Sequence, residues 1–446
     1  MTSTADLTQG PIRRQMIALS LPLLASNILQ QLYNTVDVTI VGRYIGEEAF
    51  AAVGVAGSVM NLFLFLITGC CNGAGALFSQ ARGAGDSGTF RQEFFLAFVF
   101  GSGCSLPQLL TALRTPPEIA APAAVYLRVI FLGFLPAFAY QLGFAVLRSV
   151  GNTAAALGFL MVSMAANLGL DLLFVAGLHW GIAGAAWATV LAQTLAAVCC
   201  QGYLRRRFAH LVFRRADMGC DFRLLGEIAR FSLVSALHMC SLYVGKLLVQ
   251  GTVNGLGAGA ITAYTAAARV EGFANSFGGS GAASMSVFTG QNTGAKDARR
   301  SRTGFFTGER LLTALGLVMS ALMIAGAVPA LSLVLPEGSD EAVFAEARGY
   351  LRLVACFYVF NFLGSGMVGW FQGRGLVDLP AMGAAGHITL RVVLSALLAP
   401  RMGLPAVALA TGLGWVGVVS AWSVPLRKDL RQAVSEGGMT AGVSSP

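Results

Sequence analysis

Charge is what this chain has least of. Only 11% of its 446 residues are Asp, Glu, Lys or Arg, against about 25% in an ordinary soluble domain. Too few charges remain to solvate the surface of a globule this size, which excludes a soluble enzyme and a disordered chain alike. Lysine is scarcer still, with Lys246, Lys296 and Lys428 the only three, and none stands in the glycine-rich spacing of a phosphate-binding loop. ATP-driven transport by this chain alone is excluded. The four histidines, at 179, 210, 238 and 387, have no partner at metal-ligand spacing. The eight cysteines, at 70, 71, 104, 199, 200, 220, 240 and 356, form no CxxC or Cys/His pattern. Packing is their expected role, with no disulfide framework and no structural metal. A clustered DDxxD and a catalytic His/Cys pair are also missing, so no enzymatic activity and no cofactor are expected.

Hydrophobic residues are plentiful at 55%. A helix needs roughly 20 apolar residues to cross about 30 Å of hydrocarbon. Twelve segments qualify, near 16–41, 49–78, 93–113, 123–147, 153–177, 181–203, 228–252, 258–290, 304–333, 343–372, 376–399 and 403–425. The ten-residue alternation of barrel strands is not seen. The first segment carries Asn27, Gln30, Gln31, Asn34 and Asp37 and lacks a small-residue cleavage site, unlike a signal peptide. With the N-terminus inside, twenty basic residues fall on the inner side and three outside, the other seven lying in spans. Arg43, Arg114 and Arg401 are the outer three. This is a strong positive-inside pattern. It predicts a multi-pass protein of the bacterial inner (cytoplasmic) membrane with both termini cytoplasmic. It also explains the net charge of +9 without a nucleic-acid partner.

The chain repeats itself. Residues 42–86 align without a gap on 253–297, pairing Gln80/Gln291, Gly83/Gly294, Ala84/Ala295 and Asp86/Asp297 at an offset of 211. Tyr126-Leu127-Arg128 matches Tyr350-Leu351-Arg352, and Gly151 matches Gly375, at an offset of 224. Gly181 through Thr189 resembles Gly403 through Thr411. The expected organisation is an N-terminal six-helix lobe (1–203), a basic cytoplasmic linker (204–227), a C-terminal six-helix lobe (228–426) and a cytoplasmic tail (427–446). The fold class is all-α and polytopic, with twelve transmembrane helices in two pseudo-symmetric six-helix bundles around a central cavity. Parallel repeats of this kind suit alternating access by rocking. Monomeric action is expected, because one chain already holds both halves.

Several stretches carry a family resemblance. Leu21-Pro22, the run Gln30-Gln31-Leu32-Tyr33-Asn34-Thr35-Val36-Asp37 and Val41-Gly42-Arg43 resemble the first span of the multidrug and toxic compound extrusion (MATE) transporters. So do Leu147-Arg148-Ser149-Val150-Gly151-Asn152-Thr153, Asn167-Leu168-Gly169-Leu170-Asp171 and the paired Gln/Gly/Ala/Asp loops, in the family's order along nearly the whole chain. The bacterial DinF-like group is the nearest pattern. The resemblance implies an antiporter that exports organic, often cationic or amphipathic, compounds in exchange for H⁺ or Na⁺. It implies that the ion is handled by an aspartate on the first span, an Asn-x-x-x-Asp pair on the fifth and a threonine on the sixth. These positions fall on Asp37, Asn167, Asp171 and Thr189.

The chemistry of those residues leads to the same place. Charged side chains inside spans are expensive and face a partner or a wet cavity. Helix rise puts Asp37, Asp171 and Thr189 at similar depths, roughly 8–12 Å below the outer surface, with Asn167 one turn deeper on the face of Asp171. Two nearby carboxylates in low dielectric readily hold and release one proton. The same oxygens form a hard-ligand set for Na⁺. Pro22 is the expected bend point of the first span. Structural readings stand beside these. Asp37 becomes a surface aspartate if its helix ends early. Asn167 and Asp171 can tie helices together, and Thr189, like its match Thr411, can bond its own backbone.

The second half differs in sign. Lys246 stands near the equivalent of Asp37, and Arg391 aligns with Asn167. Where some relatives carry acidic residues for a second cation site, this chain has Lys246 and Asn361, which disfavours one. Glu271 is a secondary candidate for cation recognition, and Lys246, Asn361 and Arg391 complete the substrate-binding candidates. Small organic molecules and the lipid bilayer are the expected partners. The alternative is a flippase of related fold for a lipid-linked precursor or oligosaccharide, whose anionic pyrophosphate would suit Lys246, Arg269 and Arg391.

Overall fold

The computed structural model describes the backbone of residues 6–45, 47–104, 129–130, 132–219, 221–335 and 340–441. It describes their side chains apart from those of 34–59, 103–104, 215 and 433–441. Among the described residues the structure is helical throughout. The first half contains α1 (Ile12–Ile45), α2 (Glu47–Gly83), α3 (Ser87–Cys104), α4 (Phe134–Ser149), α5 (Thr153–Asp171) and α6 (Gly181–Arg207). The second contains α7 (Phe222–Asn254), α8 (Ala258–Gly294), α9 (Ala298–Ala325), α10 (Glu341–Ala355), α11 (Tyr358–Gly373), α12 (Asp378–Met402) and α13 (Leu404–Ala441). A helix lies at each of the twelve expected segments.

Eight helices of the described residues are long and apolar enough to cross a membrane, and α10 with α11, bent by 51° at a short break, are so when taken together. Bulky side chains point outward along them, among them Leu237, Leu322, Met382, Leu397 and Val424, as lipid-facing residues do. Helix α8 is different. Ser276, Ser280 and Ser284 form a ladder in which each hydroxyl donates to the carbonyl four residues back, at 3.0, 2.6 and 2.8 Å. Its apolar signal is diluted by these residues and by glycine, which let α11 approach closely. A Cβ on Gly369 would lie 2.4 Å from the Ala282 carbonyl oxygen.

The repeat is written in the backbone as well as the side chains. Asp86 accepts from Thr89 N–H at 3.0 Å where α3 begins, and Asp297 accepts from Arg300 N–H at 2.8 Å where α9 begins. Both cap orphan donors of a first turn. The residues just before them, Gly85 and Lys296, both have left-handed φ, at 71° and 57°. The pairs Gly151/Gly375 and Gly181/Gly403 also have positive φ. The Asp86 carboxyl is held below its usual range, first by the Thr89 hydroxyl and then by the Thr89 amide.

Contacts divide the chain into two compact units. One comprises 1–6 and 25–236, the other 7–24 and 237–446. Against the expected lobes of 1–203 and 228–426, the opening stretches of α1 and α7 belong to the unit of the opposite half, and the expected linker 204–227 belongs to the first unit. In the second unit, Ser20 of α1 donates to Ser284 of α8 at 2.9 Å. In the first, a Cβ on Gly73 of α2 would lie 2.2 Å from the Phe231 carbonyl oxygen of α7. Residues 20 and 231, and residues 73 and 284, are partners in the 211-residue repeat.

The segments preceding these helices follow the same rule. Leu7 is fully buried in the second unit, where Arg300 donates to Leu7 O, Gly10 O and Gln15 Oε1 at 3.0, 2.9 and 2.7 Å. Loop 208–219 is tied to α3 in the first unit. Arg91 donates to Asp217 Oδ2 at 2.9 Å and to His210 O at 3.2 Å, and Phe213 rests 5.3 Å from Phe94.

Candidate functional site

In the first unit the site begins at the end of α5. Asn152 caps that helix by accepting from Ala155 N–H at 3.2 Å, and the helix runs to Asp171, where a π-helical turn takes over from Leu172 to Gly177. Such turns release the regular backbone ladder and recur at functional positions. Asn167 and Asp171 share a face and are each 2% exposed.

The Asn167 amide takes the orientation that satisfies both of its ends. Its nitrogen donates to Asp171 Oδ2 at 2.9 Å and lies against the Tyr33 hydroxyl, and its oxygen accepts from Thr189 N–H at 3.1 Å. The Thr189 hydroxyl stands 3.5 Å from the same amide and donates to its own helix at Ala185 O, 3.1 Å away. Thus α1, α5 and α6 meet at a buried carboxylate, an amide, a phenol and a hydroxyl. Asp37 lies on α1 one turn beyond Tyr33, and its side chain is outside the described residues. Pro22 lies inside α1, which is assigned as one helix from residue 12 to 45.

Tyr33 is the member that the sequence reading did not single out. Its signal was its place within the Gln30–Asp37 run, four residues before Asp37, which is one helical turn.

The second unit gathers the remaining candidates. Glu271 of α8 is buried at 9% exposure, and its Oε1 has no hydrogen-bond partner. Lys246 of α7 and Arg391 of α12 lie within Coulombic reach of it. Arg391 Nη2 donates to the Tyr264 hydroxyl at 3.3 Å. Tyr264 meets Tyr350 edge to face at 5.5 Å, and Tyr358 meets Trp415 at 5.3 Å. Tyr358 also reaches the Glu271 carbonyl at 3.4 Å. Asn361 donates to Asn275 Oδ1 at 2.7 Å, one turn along α8 from Glu271. Arg269 is exposed on α8. Among the described residues no three or more His, Cys, Asp or Glu side chains form a metal-holding group.

The whole chain has recognisable relatives. The MatE family model matches residues 22–173 and 235–397, and the chain belongs to that family of membrane transporters. It is 25% identical over 425 residues to the probable multidrug resistance protein YpnP of Bacillus subtilis (strain 168), covering 92% of this chain and 94% of that one. To the probable multidrug resistance protein YoeA of the same strain it is 27% identical over 365 residues, covering 77% and 78%. A crystal structure of MATE in complex with MaL6 superposes with a TM-score of 0.89 at 21% identity, covering 98% of this chain and all of that one. The fold is the all-α, twelve-helix membrane fold of those transporters.

Proposed function

We propose that this transporter is an antiporter that exports organic, often cationic or amphipathic, compounds in exchange for H⁺ or Na⁺. The observation that carries the reading is the buried Asn167–Asp171 pair, joined by Thr189 and Tyr33 where α5 gives way to its π turn. A carboxylate in hydrocarbon is stable only when neutralised. Binding a proton or Na⁺ there, with Asp37 as the second carboxylate, changes the local charge and the hydrogen bonds between α1 and α5. Glu271, Asn361, Lys246 and Arg391 are the candidates for meeting the transported compound. The likeness to the probable multidrug resistance proteins YpnP and YoeA supports export of drug-like molecules. The placement of basic residues supports the inner membrane with both termini cytoplasmic, and a single chain with both halves supports action as a monomer.

The test is ethidium transport by purified protein in liposomes under an imposed pH or Na⁺ gradient. Asp171→Asn and Asp37→Asn are each expected to abolish gradient-driven movement while the melting temperature holds. Full coupling in both variants would end the reading. A second reading, the flippase for a lipid-linked anionic precursor, is favoured by Lys246 and Arg391 near Glu271. It predicts no ethidium movement under either gradient.

A further inference from the structure

The second unit holds an altered copy of the site just described. At the 224-residue offset Asn167 corresponds to Arg391 and Asp171 to Ser395, and Thr189 corresponds to Thr411 in the aligned Gly403–Thr411 stretch. Lys246 stands near the counterpart of Asp37. The position of the carboxylate has become a hydroxyl and that of the amide a guanidinium. Ser395 is 0% exposed and its hydroxyl is unpartnered. Arg391 donates from Nη2 to the Tyr264 hydroxyl, and its Nε has no partner among the described residues. Lys246 is exposed on α7.

Charge does not balance within this group. Arg391 and Lys246 lie within Coulombic reach of one carboxylate, Glu271, whose Oε1 makes no hydrogen bond among the described residues. An unneutralised positive charge inside a membrane is costly and is relieved by a counter-charge. Guanidinium is the side chain best shaped to supply one to an oxyanion, through paired parallel N–H donors. Tyr264, which bonds Arg391, packs on Tyr350, and Tyr358 packs on Trp415, while His387 lies 6.4 Å from the Trp415 ring. The three tyrosines are buried, and Trp415 and His387 are the half-buried rings of the group.

We propose that the second unit binds an oxyanion, a carboxylate, sulfonate or phosphate, carried on an aromatic or lipid body. Arg391 and Lys246 hold the anionic group, Ser395 supplies a further hydroxyl donor, and Glu271 is the internal anion that occupies the cations' field when no ligand is present. This deepens the transport reading and rests on it: the compounds handled include anionic and zwitterionic amphiphiles as well as cations.

Exchange of labelled against unlabelled dye across liposomes needs no ion gradient, so its outcome is independent of whether coupling at Asp37 and Asp171 is correct. The probes are dansyl-taurine, a permanent aromatic sulfonate, and ethidium, a permanent cation. Wild-type protein should exchange both. Arg391→Gln and Lys246→Gln should each lower the ratio of dansyl-taurine to ethidium exchange by about tenfold, and Glu271→Gln should raise it. Arg391→Lys, which keeps the charge, should restore most of the ratio. Adding anionic phosphatidylglycerol to phosphatidylcholine liposomes identifies the source of the oxyanion. Competition with dansyl-taurine points to a lipid headgroup, and no competition points to a soluble amphiphile. The proposal is overturned if wild-type protein exchanges no dansyl-taurine. It is equally overturned if the Arg391 and Lys246 variants, with unchanged melting, lose both probes in equal proportion.

Discussion

Asn167 and Arg391 occupy the same place in two copies of one helix, yet one donates an amide proton to a carboxylate and the other a guanidinium proton to a phenol. The Asn167 amide meets partners on α1, α5 and α6 at both of its ends. Around Arg391 the atoms Glu271 Oε1, Arg391 Nε and Ser395 Oγ have no partner among the described residues. The backbone frame is shared, down to the positive φ of paired turn residues. Duplication therefore preserved the scaffold while the polar centres diverged, one keeping an amide and a carboxylate and the other carrying a guanidinium and a hydroxyl.

The comparison breaks most severely where the copies are packed most tightly. Gly73→Leu should prevent folding, because even one Cβ there lies 2.2 Å from a backbone oxygen, and backbone cannot swing aside as a side chain can. Gly73→Ala alone should cost about 1–3 kcal/mol through forced overpacking. Its repeat partner Ser284 has room and a single interhelical bond to Ser20, so Ser284→Ala should cost only about 1 kcal/mol. Melting of the purified variants tests both, and equal losses would contradict the packing difference.

A smaller effect separates the two lead-in segments. Arg300 holds three groups of residues 7–15, whereas Arg91 holds two of loop 208–219. Arg300→Ala should release the N-terminal segment to hydrogen exchange and proteolysis more than Arg91→Ala releases the loop. The reverse order would show that Leu7, not Arg300, anchors the segment. The smallest effect concerns acid. Hydrogen bonds from the Arg91 side chain and then the Arg214 amide hold the Asp217 carboxyl below its usual range. Its contribution is therefore present at neutral pH and is lost as the pH falls through that lowered value, below about pH 4. Hydrogen exchange of loop 208–219 should be flat from neutral pH to about pH 5 after correction for intrinsic rates, and should rise only in stronger acid. Asp217→Asn should show the loosened loop already at neutral pH.

Much of this was legible in the residues. Hydrophobic length located the twelve segments, and a fixed offset paired Asp86 with Asp297 before either was seen to cap a helix. Asp171 stood out as a charge inside a span, the family resemblance paired it with Asn167, and their four-residue spacing put both on one helical face. Tyr33 escaped because a tyrosine in an apolar span has many packing roles, and only its partner reveals the hydrogen bond. Ser395 was reachable by adding 224 to Asp171, but a buried serine carries no charge to draw notice. The π turn after Asp171 and the assignment of residues 7–24 to the second unit depend on tertiary packing, for which periodicity has no signal.

That last assignment bears on ancestry and on engineering. A chain severed in the linker between α6 and α7 yields two pieces, each with its own six-helix sequence and neither with a complete set of packing partners. The opening of α1 would be left without α8, and the opening of α7 without α2. Two separate copies of the unduplicated ancestor would have met the same requirement only by trading the beginnings of their first helices, as domain-swapped dimers do. Within one polypeptide the same exchange is intramolecular and needs no collision between chains.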